Sequence, residues 1–540
     1  MCAAKLSYPQ QYAGRKFSIG SSREELDRWL SRQEGRDVLH AAHELLRGLV
    51  ELNRLSAYTP VRYHIMKRII RHADPLLLEL IANYNPDRAL LSAGDKRDEA
   101  GLIKQLIQEL AFGFKIVITE LANREDLEQL KEQTSHIIYN AMYYLSQFLL
   151  FHYQLYEPVA GSVWGELNLL YRYAKHLGSD QTPVSDKGYE ADTVTDAYKN
   201  ILLLSAINPY RLLPGTVYEA YDILKTWSRH AQLVQRAPGW RSEGEMVIDL
   251  NADRPPEFIQ PGEMFTDISM IRVLDIAPIK QAVIAECAQW QDDISGVAPS
   301  HLKLDLCQRL LDGWQAVIQR ASVRRSAYID LEAHVGLDAC HSLIVEFQRA
   351  HRNGAAGAAV RFASETENPL WNTFDLTAQF EREMNPSSRR TLNLHQLDVG
   401  MGGYGLRYDG AEGAELAVGD LVCLRKTNAA SAWRIGEVRW KKPGEGHSFT
   451  AGIQLLAEDA EPFYAARMHD EAGNTLGVRG LLIPGNGFEN PAATLLLKSD
   501  VFQVNDLIHV HTPECSLMLA LTAVLGQRKH FTQFAYAIVE

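Results

Sequence analysis

Two short stretches carry residue types that could do chemistry. The first is Arg320-Ala-Ser-Val-Arg324-Arg325, in a window with no acidic residue between Asp312 and Asp330. The second is Leu397-Asp398-Val399-Gly400-Met401-Gly402-Gly403-Tyr404-Gly405-Leu406. Arginine presents a planar fork of donors that grips phosphate bidentately and stacks on flat rings. Two arginines four residues apart on an approach loop can hold separate parts of one ligand. A carboxylate such as Asp398 can accept from the N1–H and the exocyclic amine of a guanine together. Glycines let a backbone approach a ligand closely and adopt positive φ. The chemistry these groups suit is anion and purine recognition. The candidate binding residues are Arg320, Arg324, Arg325, Asp398, Gly400 and Gly403. Taken singly, R-x-x-x-R is more often the end of a solvated helix, and a glycine-rich turn before a strand is more often only a turn. The order adds weight: an arginine pair, an alternating strand, Asp-x-Gly-x-x-Gly, then three more strands.

Other chemistries find less support. Gly400-Met-Gly402-Gly403-Tyr-Gly405 superficially resembles a dinucleotide fingerprint, but that motif opens a helix and Tyr404–Tyr408 reads as a strand. The chain contains no G-x-x-x-x-G-K-[ST] and no G-x-S-x-G. His40 and His43 share helical spacing without an H-E-x-x-H motif, and read as a surface helix face. His509 and His511 share one strand face. None of these nominates a metal ligand or a catalytic residue, so no cofactor, no metal and no enzyme activity are expected.

These candidates need elements to position them. Residues 1–240 read as helical. Ser22-Arg23-Glu24-Glu25 is a capping box. Leu102, Leu106, Leu110, Phe114, Val117 and Leu121 recur at helical spacing. Gln133 to Tyr156 lacks Asp, Glu, Lys and Arg and is long enough to span a bilayer. Its five tyrosines, Asn140, Ser146, Gln147, His152 and Gln154 make it polar for lipid, so a buried helix is expected rather than a membrane span. Met246–Leu250 and Ile271–Ile276 are short strands, and helical pattern returns from about 278 to 320; 241–310 is read as a small mixed linker domain. From 326 the period becomes two. Ala327, Ile329, Leu331, Ala333 and Val335 alternate with Tyr328, Asp330, Glu332 and His334. Further strands are expected at about 404–408, 420–426, 433–440 and 448–456, which suggests a small antiparallel barrel. The long segment 342–392 lies between the first strand and the rest. It contains Gly354-Ala-Ala-Gly-Ala-Ala, and reads as an excursion with its own helix and partial order. Strand-like segments at 493–498, 507–511 and 517–523 follow.

In this order the motifs resemble the PilZ family of cyclic-di-GMP receptors. That family's pattern is R-x-x-x-R, then [D/N]-x-S-x-x-G, at the start of a six-stranded barrel. Arg320 and Arg324 match the first motif; Asp398 and Gly403 match the second, with Gly400 standing where the family usually has Ser. Phe449-Thr-Ala-Gly-Ile-Gln-Leu-Leu456 looks like the closing strand. The helical front, with Ala206-Ile-Asn-Pro-Tyr-Arg-Leu212, is similar to the large FimW-type branch. The resemblance covers roughly 310–475. It implies a multidomain α+β protein: an N-terminal all-α domain (1–240), the linker domain (241–310), and a PilZ-like antiparallel six-stranded β-barrel (311–475) carrying the 342–392 insertion. A C-terminal β-rich extension (476–540) supplies further strands. It implies cyclic-di-GMP as ligand and a protein partner engaged through the helical domain, in surface motility, type IV pili or biofilm control. Gly403 aligns with the family's own glycine and is expected to hold the special backbone of the turn. Two rival readings are a structural adaptor that has lost its ligand, and an unrecognised enzyme in the helical half.

Composition bounds the rest. The chain has 540 residues, enough for roughly three or four domains. Hydrophobic residues make up 46% and charged residues 23%, which excludes disordered and fibrous classes. A formal charge of −12 argues against a nucleic-acid polymer as partner. Cys2, Cys287, Cys307, Cys340, Cys423 and Cys515 form no C-x-x-C pair, and no apolar signal segment opens the sequence. A cytoplasmic setting with reduced thiols is expected.

Overall fold

The leucine stripes of the first half build helices α1 (Arg23–Ser31), α2 (Val38–Asn53), α3 (Thr59–Asn83), α4 (Ala93–Leu121), α5 (Lys131–Gln154), α6 (Val163–His176), α7 (Val194–Ala206) and α8 (Val217–Trp227). The computed structural model describes residues 6–13, 17–20, 22–56, 59–84, 93–121, 131–159, 161–184, 192–265, 267–292, 299–315, 325–352, 391–400, 402–410, 416–427, 429, 431–444, 448–467, 477–485, 492–512 and 516–539. The Ser22 side chain accepts from the Glu25 N–H, and the Glu25 carboxylate accepts from the Ser22 N–H, so α1 begins at the expected capping box. All six residues of the α4 stripe, from Leu102 to Leu121, are buried.

Helix α5, without Asp, Glu, Lys or Arg from Gln133 onward, lies in the core. Tyr144 stacks on Phe114 with ring centroids 5.9 Å apart, and its hydroxyl donates to Asp74 Oδ1 at 2.5 Å. Burial raises the Tyr144 pKa well above its ordinary value, so the hydroxyl stays a donor. Among the described residues, no helix is long and apolar enough to cross a membrane. Lys115 and Glu166 form an ion pair at 2.8 Å between α4 and α6, with side chains only 3% and 4% exposed. The Ser7 N–H and hydroxyl both donate to Glu166 Oε1 at 2.6 Å, tying the N-terminal segment to this pair.

A small antiparallel sheet follows, from β1 (Gln232–Val234), β2 (Met246–Asp249), β3 (Glu257–Phe258) and β4 (Ile271–Asp275), in the order β1-β4-β2-β3. Helices α9 (Ala277–Asp292) and α10 (Pro299–Gln315) come next. The sheet is not the separate 241–310 domain that the sequence suggests. One compact unit holds Met1–Pro209, Gly215–Asp293 and Arg309–Val317; the other holds Tyr210–Pro214, Ile294–Gln308 and Ile318–Glu540. The reason is polar anchoring to α6. Asn168 Nδ2 donates to the carbonyls of Asp249 and Ala252 at 3.2 and 2.8 Å, and the Gly165 N–H donates to Asp253 Oδ1 at 2.7 Å. A change of period marks a change of secondary structure, not of domain.

In the second unit, β5 (Arg325–Val335) runs into helix α11 (Leu337–Arg352). The strands β6 (Leu392–Gly400), β7 (Gly403–Tyr408), β8 (Leu421–Lys426), β9 (Arg434–Pro443) and β10 (Phe449–Ala457) follow. They close an antiparallel barrel in the order β10-β7-β6-β5-β8-β9. Period-two residues fill it: Leu331 and Ala333, Leu392 and Leu394, Leu406, Val422 and Leu424, Val438, Ala451 and Ile453 are all buried.

The last strands are β11 (Glu461–Arg467), β12 (Val478–Ile483), β13 (Thr494–Lys498), β14 (Leu507–His511), β15 (Ser516–Gln527) and β16 (Phe531–Ile538). They are more than an extension. They close a second barrel, β11-β12-β13-β16-β15-β14, around Phe463, Leu495, Leu497, Ile508, Val510, Leu519 and Phe534. Closure pairs every strand edge, so none of the six strands is left open to another chain. The first barrel ends with β10, and β11 belongs to the second.

Helix α11 seals the two barrels. Its Leu337, Cys340 and Ile344 pack among Leu421, Cys423, Trp433 and Ile435 of the first and Leu481, Ile483, Leu496 and Phe531 of the second. This front part of the expected excursion is therefore core, because its apolar face has two sheets to cover. The remainder, 353–390, lies outside the described residues. His341 of α11 is buried edge-on against Tyr464 at 4.9 Å, and burial pushes its pKa down to about 4. One ion pair also crosses between the barrels. Arg528 donates from Nε and Nη2 to the two oxygens of Glu437, at 2.7 and 3.2 Å.

Candidate ligand-binding site

Strand register brings the two motifs together. Arg325, the first residue of β5, lies opposite Val399 of β6, and Ser326 lies opposite Asp398. Arg320 and Arg324 lie outside the described residues. The row continues across the barrel: Asp398 opposite Gly405, Gly405 opposite Gly452, Gly452 opposite Trp440. Residues directly opposite share a face. Along this row Ser326 is exposed, Asp398 and Trp440 are half-buried, and Gly405 and Gly452 are buried beneath their neighbours' side chains, on the side opposite the inward-facing Leu406, Ala451 and Ile453.

Two glycines in that row let neighbouring side chains lean over them. A Cβ on Gly405 would stand 2.6 Å from Asp398 Oδ1, and one on Gly452 would stand 1.9 Å from Trp440 Nε1. The Gly405 N–H donates to Asp398 Oδ1 at 2.9 Å, which fixes the carboxylate over β7. The indole covers β10. Adjacent strands are roughly 4.8 Å apart. A carboxylate thus lies over β7 and a flat aromatic over the neighbouring strand β10. One can accept from the donor edge of a purine, and the other can cover a ring face.

Two irregularities aim this corner. On β5 the step from Ser326 to Ile329 faces the shorter step from Asp398 to Gln396, so β5 carries an extra residue. On β6 the step from Gln396 to Asp398 faces adjacent Leu406 and Gly405 on β7. Bulges re-aim side chains and end pairing, as they do at binding sites generally. Gly400 pairs with Gly403 across a two-residue turn. Gly403 has φ +152°, and a Cβ there would stand 1.9 Å from the carbonyl oxygen of Ile453. The Leu455 N–H donates to the Gly402 carbonyl at 2.9 Å and pins the same turn to β10. Gly403 is therefore the special backbone position, as the sequence led us to expect.

Asp398, Gly400 and Gly403 sit at one end of the barrel, beside the start of β5. Sequence reasoning passed over Gly405, Gly452 and Trp440, which the register sets in one row with Asp398. The available signal was glycine at strand positions, which often marks close approach. Among the described residues, no three His, Cys, Asp or Glu side chains group as metal ligands would.

A closed six-stranded barrel with an arginine motif entering its first strand and Asp-x-Gly-x-x-Gly ending its second defines a PilZ-type barrel protein. Comparison with known proteins narrows this. A family model described as the N-terminal domain of the cyclic-di-GMP receptor FimW matches residues 24–238. A second, described as the middle PilZ domain of that receptor, matches residues 377–462. The cyclic-di-GMP receptor FimW of Pseudomonas aeruginosa is 22% identical over 558 aligned positions, which cover 95% of this chain and 90% of that relative. The chain belongs to the FimW-type PilZ family. The matched PilZ segment starts at 377, beyond β5, so the arginines rest on strand order and on the register that sets Arg325 opposite Val399.

Proposed function

We propose that this chain is a cytoplasmic receptor for cyclic-di-GMP. In this reading the ligand lies on the outer face of the first barrel, at the β6–β7 turn. Arg320, Arg324 and Arg325 reach its phosphates and a guanine face, Asp398 takes a guanine edge, Gly400 leaves room for it, and Gly403 holds the turn that shapes the site. The helical unit passes occupancy to a protein partner, in control of surface motility, type IV pili or biofilm. The observation that carries the reading is the register that joins Arg325 and Ser326 to Val399 and Asp398. The similarity to a cyclic-di-GMP receptor over 95% of this chain supports the choice of ligand.

The test is calorimetric titration of the purified full chain with cyclic-di-GMP. Saturable binding that weakens with salt is expected, because the ligand is an anion. Arg324→Ala should weaken binding about 10- to 100-fold, the loss of charge-assisted hydrogen bonds of roughly 1.5–3 kcal/mol. Its melting temperature should match wild type. Equal affinity in the two proteins would remove Arg324 from the site. No binding by wild type would leave the ligand-free adaptor as the better reading.

A further inference from the structure

We propose that Tyr328 is a base-stacking residue of this site, covering the purine whose edge Asp398 takes; the inference rests on the receptor reading above. Tyr328 is 87% exposed, on the β5 segment that bulges between Ser326 and Ile329. A ring so placed contributes little to the barrel core. Its position relative to the site residues is specific. Ser326 lies opposite Asp398 on one side of the bulge, and Ile329 lies opposite Gln396 on the other, so Tyr328 stands across from the Leu397–Asp398 step. Diagonal neighbours on adjacent strands are roughly 7–8 Å apart, within reach of an aromatic side chain.

Ser326 is small, and Asp330 is engaged with His395 Nδ1 at 2.7 Å, one pair further along. A purine held by its edge at Asp398 turns its faces away from that carboxylate. A planar phenol beside it covers one face with little loss of rotamer freedom, as aromatic platforms do for unpaired bases generally. The extra residue in β5 has a purpose on this reading: it brings the ring to the rim where the edge contact is made.

The experiment uses the full chain and four proteins: wild type, Y328A, Y328L and Y328F. Each is titrated with cyclic-di-GMP, and the guanine H8 resonances of the bound ligand are recorded. Y328A and Y328L should raise Kd roughly 5- to 100-fold. Y328F should stay within about twofold, since stacking needs the ring and not the hydroxyl. The H8 resonances should lie upfield in wild type and Y328F relative to Y328A, the ring-current signature of a stacked base. Melting temperatures should agree across the set, because the site is exposed. Wild-type affinity in Y328A, or an unshifted H8 in wild type, would overturn the stacking role while leaving the receptor reading intact. Wild-type protein that binds no cyclic-di-GMP would overturn both.

Discussion

Glu437→Ala should destabilise the two-barrel unit by about 3–5 kcal/mol, because it strands a buried guanidinium. The Arg528 and Glu437 side chains are only 10% and 5% exposed. The pair is bidentate, and Arg439 reaches the same carboxylate at 3.4 Å. Removing the carboxylate forfeits these bonds and leaves the cost of burying Arg528 uncompensated. The double variant Glu437→Leu/Arg528→Met should recover most of the loss and could exceed wild type, since apolar replacements of buried pairs are often neutral or stabilising by about 1–4 kcal/mol. Urea unfolding of the three proteins measures this. If the double variant loses as much as the single, the pair's geometry is not what stabilises the junction. Glu437 also lies opposite Gln454, which lies opposite Gly403 of the β6–β7 turn. The junction and the candidate site thus share one row of strand pairs.

Gly403→Ala should cost about 2–6 kcal/mol. Roughly 1–3 kcal/mol is backbone strain at a φ only glycine adopts readily. Another 1–3 kcal/mol is overpacking, because the new Cβ would stand 1.9 Å from the Ile453 carbonyl oxygen. That oxygen belongs to a paired strand and cannot retreat without opening the β7–β10 ladder. Gly400→Ser should behave oppositely. It restores the hydroxyl usual in the family, and a neutral hydrogen bond of about 0.5–1.5 kcal/mol should tighten cyclic-di-GMP binding roughly 2- to 10-fold. Thermal melts and titrations of both variants decide the matter. A stable Gly403→Ala protein would show that the turn relaxes more easily than its packing implies. Weaker binding by a stable Gly400→Ser protein would refute the hydroxyl contact.

Local signals in the sequence determined much of this protein. The Leu102–Leu121 stripe, the Ser22 capping box and the alternation of 327–335 each depend on chemistry repeated within a few residues, and each formed the element it predicted. The order of arginine motif, strand and Asp-x-Gly-x-x-Gly was enough to suggest the barrel. Some features needed the tertiary structure. β6 was hidden because Leu392 and Leu394 alternate only briefly after a long uninformative stretch. The second barrel read as loose strands, because closure depends on which edges meet, as β11 meets β14. Helix α11 looked like the start of an insertion, because an amphipathic helix does not say that two sheets will share its apolar face. Trp440, Gly452 and Gly405 became one surface only through register across three strand pairs. Periodicity fixes which face a side chain takes, since that is decided by its own backbone. Who stands opposite is decided by pairing between segments far apart in the chain, and that information exists only once the sheet has closed.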